Sequence, residues 1–459
     1  MLGEHRMRSV LLVALAVGCF FSTVGDAQPA RQNRPNVVLI ITDDMGWGDL
    51  SSYGATDIRT PNLDRLASEG IRLTDFYANG TTCSPTRAGL ISGRYQQRFG
   101  IEAPLANAMR AGDSGLPATG YSLPQLLKSH GYATGLVGKW HLGYVAEKSP
   151  HAHGFDYFFG LKSGFHDYYT HHDGEGEPDL WENDEPIEIE GYTTDLVTER
   201  AARFIDEHRG EPFFLDVAYT APHWPYQVPG KPSAAPDNAR HVMPTDAETS
   251  TRADYVAMVE HLDEQIGELL AVIERAGIAD ETIVIFTNDN GGEWLSNNAP
   301  FFGRKWTVYE GGIRVPAIVR WPGRIPAGTV SDQVGITMDL TASILAVTGA
   351  PVPAEAQLEG ANLFPVWEGR APEFERTLFW RVGMGPGKRT AVRRGDWKLM
   401  VDGMHTYLFN LRTDLSERND LARVRQDVAQ ELWPLITEWE AMIDAEAAAY
   451  RPAGASNGR

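Results

Sequence analysis

The stretch Asn36-Val37-Val38-Leu39-Ile40-Ile41-Thr42-Asp43-Asp44 decides the fold. An unbroken apolar run rich in β-branched residues is the pattern of a strand covered on both faces, and such strands belong to parallel-rich sheets flanked by helices. The run stops abruptly at Thr42-Asp43-Asp44. Two carboxylates therefore arrive at the carboxyl end of a buried strand.

Working outward, the same unit recurs. Thr60 caps a helix with Pro61 at its first position; Leu63, Leu66 and Ala67 form its inner face, and Gly70 stops it before a strand from Ile71 to Tyr77. Ser122 opens a helix carrying Leu123, Leu126 and Leu127, and Gly131 closes it before the strand Tyr132 to Val137. Helices from Thr194 to His208 and from Arg252 to Ala276 precede strands from Phe213 to Tyr219 and from Thr282 to Thr287. This alternation predicts an α/β fold: a large mixed, mostly parallel sheet with helices on both faces. After a helix from Asp339 to Val347 and a passage rich in Pro, Ala and Gly, the pattern changes. Short strands at Thr377 to Arg381, Arg389 to Arg393, Trp397 to Val401 and Tyr407 to Leu411, then a helix from Val424 to Ala445, predict a smaller antiparallel sheet plus helix. The expected divisions are a leader at 1–27, a catalytic domain at 28–370, an α+β subdomain at 371–450 and a disordered tail at 451–459. Lys162 to Tyr192 and Pro222 to Asp246 read as long surface loops.

The formal charge of −20 over 459 residues argues against nucleic acid as a partner, because phosphate would be repelled by most of the surface. An anionic substrate would need a local basic pocket. His5, Arg6 and Arg8, the apolar run Val10 to Val17 and Gly25-Asp26-Ala27 form the pattern of an export signal, so a periplasmic or secreted protein is expected. Leu15-Ala16-Val17-Gly18-Cys19 offers an alternative, a lipid anchor through Cys19. No stretch reaches the length of a membrane span, so an integral membrane protein is not expected. Removal of the leader would leave Cys83 as the one thiol, with no intramolecular disulfide.

Polar residues follow the strands. Asp43 and Asp44, Lys139 and His141, His223, and Asp289 and Asn290 all stand just beyond strand ends, where ligands bind in open α/β sheets. Three carboxylates and an amide are hard oxygen donors suited to Ca²⁺ or Mg²⁺, although each pair alone is also a common turn sequence. Lys139 and His141, two apart on an extended segment, would point to one side. Arg304 and Lys305 add cations. Cys83 precedes Pro85 and a helical pattern from Thr86 to Ile91, beside a helix start that favours anions and activated nucleophiles. Taken alone, a lone cysteine reads equally as a small buried residue. Gly383 to Thr390 resembles a phosphate loop but lacks its first glycine and its hydroxyl residue, and reads as a turn.

Cys83-Ser84-Pro85-Thr86-Arg87 followed by Ala88-Gly89-Leu90-Ile91-Ser92-Gly93-Arg94, together with Gly131-Tyr132-Ala133-Thr134-Gly135-Leu136-Val137-Gly138-Lys139-Trp140-His141, resembles the two signatures of type I formylglycine-dependent sulfatases of the alkaline phosphatase superfamily. Similarity runs from Pro35 to about Leu421, nearest to arylsulfatase A and N-acetylgalactosamine-6-sulfatase relatives. The resemblance implies that a maturation enzyme converts Cys83 to Cα-formylglycine, and that Asp43, Asp44, Asp289, Asn290 and residue 83 ligate calcium. It further implies that Arg87 and Lys139 hold the hydrated aldehyde, that His141 is its base, and that His223 and Lys305 grip the sulfate, with His223 as proton donor. The expected reaction is hydrolysis of sulfate monoesters, and the expected partner a sulfated carbohydrate or other sulfate ester. His166, Tyr168, His171, Trp224 and Arg304 are candidate sugar contacts, because aromatic faces and hydrogen-bond donors suit sugar rings. The alternatives are a phosphomonoester or phosphonate hydrolase of the same superfamily and a non-catalytic binder of sulfated glycans with Cys83 unmodified.

Overall fold

The computed structural model describes residues 34–106, 114–231, 250–383 and 387–450. The expected leader with Cys19, the expected tail, most of the second long loop and part of the Gly383 to Thr390 turn lie outside them.

The strands are β1 (Asn36–Thr42), β2 (Ile71–Leu73), β3 (Phe76–Tyr77), β4 (Ala133–Gly138), β5 (Tyr157–Gly160), β6 (Trp181–Glu182), β7 (Glu185–Pro186), β8 (Phe213–Ala218), β9 (Thr282–Asn288), β10 (Ala317–Arg320), β11 (Thr329–Ser331), β12 (Gly335–Ile336) and β13 to β16 (Thr377–Val382, Arg389–Arg394, Trp397–Asp402, His405–Asn410). Ten of them form one sheet in the order β11-β2-β10-β9-β1-β8-β4-β5-β6-β7. At its centre β1 pairs in parallel with β8 and β9, and β4 pairs in parallel with β8 and β5. The expected large, mostly parallel sheet is what forms.

Helices cover both faces. They are α1 (Pro61–Glu69), α2 (Cys83–Ser92), α3 (Leu123–Ser129), α4 (Thr193–His208), α5 (Arg252–Arg275), α6 (Glu310–Ile313), α7 (Thr337–Thr348), α8 (Phe364–Trp367) and α9 (Gln426–Ala447). The two-residue period of β1 sorts its side chains: Val38 and Ile40 join the layer under α1, α4 and α5, while Val37, Leu39 and Ile41 join the layer under α2, α3 and α7. All five are at most 1% exposed, which is why the run carries no polar residue. Thr251 starts α5 with reciprocal bonds, its N–H donating to Asp254 Oδ2 at 2.7 Å and its Oγ1 accepting from Asp254 N at 3.4 Å.

Three expectations are corrected. Ile71 to Tyr77 is not one strand: the chain bends at Thr74-Asp75, where Asp75 meets Arg314 at 2.5 Å and Arg393 at 2.9 Å, and β3 leaves the large sheet to pair with β12. The antiparallel strand β10, which no run signalled, inserts between β9 and β2. Lys162 to Tyr192 is only partly a surface excursion: residues 162–173 are mostly buried, whereas most of 174–190 is exposed or half-buried. Its polar residues serve its own buried backbone: Asp179 accepts from the N–H groups of Lys162 and Ser163 at 3.2 and 2.9 Å, and Asp167 from those of Tyr169 and Thr170 at 2.9 and 2.7 Å.

The C-terminal strands β13 to β16 form the expected four-stranded antiparallel sheet with α9 against it. Trp380, Val382, Trp439 and Ile443 share a core with Tyr77 of β3, Tyr95, Ile336 of β12 and Met338 of α7. Trp380 Nε1 donates to Ala78 O at 2.9 Å, close to the start of α2.

Candidate active site

The carboxyl ends of β1, β4, β8 and β9 converge, as the alternation requires. β1 delivers Asp43 and Asp44, and β9 delivers Asp289 and Asn290; all four are at most 2% exposed. Cys83 lies in the first turn of α2, which starts three residues earlier than the helical pattern indicated, with Pro85 at a first-turn position that needs no N–H. Cys83 Sγ and one carboxylate oxygen each from Asp43 and Asp289 lie within 4.8 Å of one another, as do donor atoms of Asp43, Asp44 and His223.

Cations interleave with these acids. Lys139 Nζ donates to Asp43 Oδ2. Arg87 donates to Asp289 Oδ2 at 2.9 Å and to Lys139 O at 3.0 Å. Lys305 Nζ donates to Asp44 Oδ2 at 2.8 Å and lies 3.4 Å from His223 Nε2 and 3.3 Å from Glu293 Oε2. The structure thus brings Cys83, Arg87, Lys139, His223, Lys305 and the four oxygen donors together at one place.

The segment carrying Lys139 and His141 is not extended, since His141 has φ 55°. The turn sends the ring back under α2. His141 Nε2 donates to Leu105 O at 2.9 Å, and its Nδ1 is buried with no hydrogen-bond partner. Ser84 Oγ fixes this segment by donating to His141 O at 2.9 Å while accepting from Leu105 N at 3.0 Å. A Cβ at Gly164 would stand 2.8 Å from His141 Cε1, so only glycine leaves the ring its place.

Burial, reinforced by Lys139, holds His141 well below the usual histidine range. The neutral ring therefore offers a lone pair at Nδ1. Burial pushes the Cys83 thiol up despite Lys139 and Lys305, so the helix start does not make it a thiolate. Burial also raises Asp43, but Lys139, His223 and Arg87 together hold it below the usual carboxylate range. Asp289 is pushed up by burial and by Asp43 against the pull of Arg87. Behind Arg87, Asp216 of β8 is raised by burial to about 7, and its Oδ1 lacks a partner.

The donor set fits a hard divalent cation. Asp43 Oδ1 and Asn290 Oδ1 are buried without hydrogen-bond partners in the midst of the other oxygen donors. Carboxylates also outnumber cations here: Asp43, Asp44, Asp289 and Glu293 face Arg87, Lys139 and Lys305.

The sulfatase family model matches residues 35–350, and that for the C-terminal part of N-sulphoglucosamine sulphohydrolase matches residues 298–440. The chain belongs to the sulfatase family. As a sulfatase it is a sulfuric ester hydrolase. Human N-acetylgalactosamine-6-sulfatase is 36% identical to it over 376 residues, 76% of this chain and 68% of that one. Mouse arylsulfatase G is 32% identical over 419 residues, 81% of this chain and 76% of that one. The crystal structure of Ps i-CgsB, also solved in complex with k-i-k-neocarrahexaose, matches with a TM-score of 0.79 at 29% identity, covering 88% of this chain and 92% of that one.

The candidate sugar contacts fare differently. His166, Tyr168 and His171 are buried and spent on structure: His166 bonds Asp179 O and Thr193 Oγ1, Tyr168 OH donates to His223 O at 2.8 Å, and His171 bonds Gly191 O. They support the sulfatase site from behind, because the Tyr168 hydroxyl holds the turn that presents His223. Trp224 is half-buried between Phe165 and His223, with ring centroids 4.3 and 5.1 Å away. Arg304 is exposed. Sequence reasoning missed Ser84, Gly164, Asp216 and Glu293. Asn-Gly-Gly-Glu after Asp289 was a signal for Glu293, whereas nothing local marked Gly164.

Proposed function

We propose that this sulfatase hydrolyses sulfate monoesters carried on saccharides, with Cys83 converted to Cα-formylglycine by a maturation enzyme and calcium held by Asp43, Asp44, Asp289, Asn290 and residue 83. One observation carries the reading: Cys83 Sγ and carboxylate oxygens of Asp43 and Asp289 lie within 4.8 Å of one another, and Lys139 and Arg87 pair with those same two acids. The saccharide part draws on relatives named for N-acetylgalactosamine-6-sulfate chemistry or solved with an oligosaccharide.

Calcium would neutralise charge developing on the sulfuryl oxygens, and a hydrated aldehyde at residue 83 would supply both an attacking hydroxyl and a second hydroxyl whose deprotonation releases sulfate. His141 takes a proton at Nδ1, the atom its Leu105 bond leaves open. Arg87 and Lys139 hold residue 83 in register. Lys305 and His223 Nε2, 3.4 Å apart, grip the sulfate. His223 Nδ1 donates to Trp224 O, which leaves Nε2 as the atom that hands a proton to the leaving alcohol. Burial draws His223 down to about 4, and the negative charge of an arriving sulfate ester favours its protonated form. The pattern in residues 1–27 supports export, so the substrate would be met outside the cytoplasm. Among the described residues no helix is long and apolar enough to cross a membrane.

Inorganic sulfate and phosphate release by the matured enzyme, measured over sulfated glycans, their oligosaccharides, a simple aryl sulfate and the matching phosphate ester, tests this reading with Cys83→Ala as control. Sulfate release that Cys83→Ala abolishes is expected. Faster phosphate release, or sulfate release that survives in Cys83→Ala, would overturn it.

A further inference from the structure

Two large aromatic residues stand exposed on either side of the sulfate-gripping lysine. Trp294 is 47% exposed and Trp306 is 45% exposed, whereas six of the twelve tryptophans are buried in the core. Both also have left-handed backbones, with φ 46° and 74°. Bulky residues seldom adopt that region, and such strain persists where surrounding structure enforces it, chiefly at ligand sites.

The two residues sit on paired loops. Lys305 N donates to Gly292 O at 3.2 Å, and Trp306 N donates to Thr81 O at 3.0 Å, just before Cys83. Trp306 Nε1 donates to Glu293 Oε1 at 3.1 Å, and the other oxygen of Glu293 lies 3.3 Å from Lys305 Nζ. The indole is thus tied through one carboxylate to the ammonium that meets the sulfate. Arg304 lies 5.3 Å over the Trp294 ring, a stacking that leaves its N–H edge free to meet an anion.

Resting on the saccharide reading above, the geometry points to Trp294, Arg304 and Trp306 as a binding rim for the anionic sugar unit next to the sulfated ring. Apolar sugar faces stack on the indoles, and a carboxylate or sulfate on that unit pairs with Arg304. The rim holds a neighbour of the reacting sugar, so it acts on longer substrates.

The test compares kcat and KM of the matured wild type, Trp294→Ala, Trp306→Ala and Trp306→Phe on three probes: N-acetylgalactosamine 6-sulfate, sulfated hexasaccharides of the chondroitin and carrageenan types, and an aryl sulfate. Each alanine variant should lose about three- to tenfold in kcat/KM, through KM, on the hexasaccharide the wild type prefers. Trp294→Ala should leave the monosaccharide and aryl sulfate unchanged, and Trp306→Phe should lose less on the hexasaccharide than Trp306→Ala. Equal losses on all probes, no loss on the hexasaccharide, or a wild type that turns over the aryl sulfate but no saccharide would overturn the rim while leaving the sulfatase chemistry standing. No sulfate release from any probe would sink the sulfatase chemistry itself, and the rim with it.

Discussion

Two buried charge clusters flank the loop that carries Lys305, and they differ in how far the protein pairs its own charges. In the cluster against the C-terminal sheet, Lys398 Nζ lies 2.8 Å from Glu310 and 2.9 Å from Glu417. Glu310 also accepts from Tyr77 OH at 2.5 Å and Arg314 at 3.2 Å, and Arg393 and Arg314 hold Asp75. Three carboxylates meet three cations. Around Cys83, by contrast, carboxylates exceed cations, and Asp43 Oδ1, Asn290 Oδ1 and His141 Nδ1 have no hydrogen-bond partner; Glu417 Oε1 also lacks one but lies 2.9 Å from Lys398 Nζ. A cluster that closes on itself fastens two sheets together. One left open binds and reacts.

The sharpest way to break this contrast is His141→Ala. Loss of a general base should lower kcat by ~10²–10⁴-fold with little change in Tm, read from sulfate release and thermal unfolding. Lys398→Met should do the opposite. It leaves Glu417 buried without its cation and Glu310 with Arg314 alone, a change that typically costs ~3–5 kcal/mol of stability, while the folded fraction keeps near-normal kcat. A Lys398→Met protein that stays stable but is as slow as His141→Ala would erase the distinction.

Chelation sharpens it further. If calcium completes the open cluster, adding it at 100 times its Kd should stabilise the wild type by about 2.7 kcal/mol, seen as a rise in Tm and as heat of binding. Asp289→Ala should lose that increment, and Glu417→Gln should keep it.

The most gradual effect, a slope with pH, concerns Glu417, which burial, opposed by Lys398, pushes up from 4.5 to about 7. Between these values the folded protein holds a proton that the unfolded chain has released. Stability from this group is therefore full below pH 4.5 and is lost as pH rises through 7, at no more than about 1.4 kcal/mol per unit. Glu417→Gln should flatten the slope of urea-unfolding stability across that window, and an unchanged slope would show that Glu417 is not the titrating group.

The legible parts of the chain were those where one local rule decides. Val37 to Ile41 read as a strand covered on both faces, and the acids beyond it and beyond Thr282 to Asn288 come together because β1 and β9 lie side by side in parallel. The illegible parts depend on distant partners. Asp75 bends a strand because Arg314 and Arg393 lie across from it, hundreds of residues away. Asp179 looked like a solvent residue, yet it satisfies the buried N–H groups of Lys162 and Ser163, which a sequence pattern does not display. The role of Gly164 exists only once His141 folds against it.

The central claim is that the open cluster is completed at residue 83, and mass spectrometry of the peptide carrying that residue, from protein made in its native host, tests it most directly. The mass of an aldehyde or its hydrate in place of the thiol is predicted, in a fraction that tracks sulfatase activity across preparations. A wholly unmodified Cys83 in protein that releases sulfate at full rate would contradict the account.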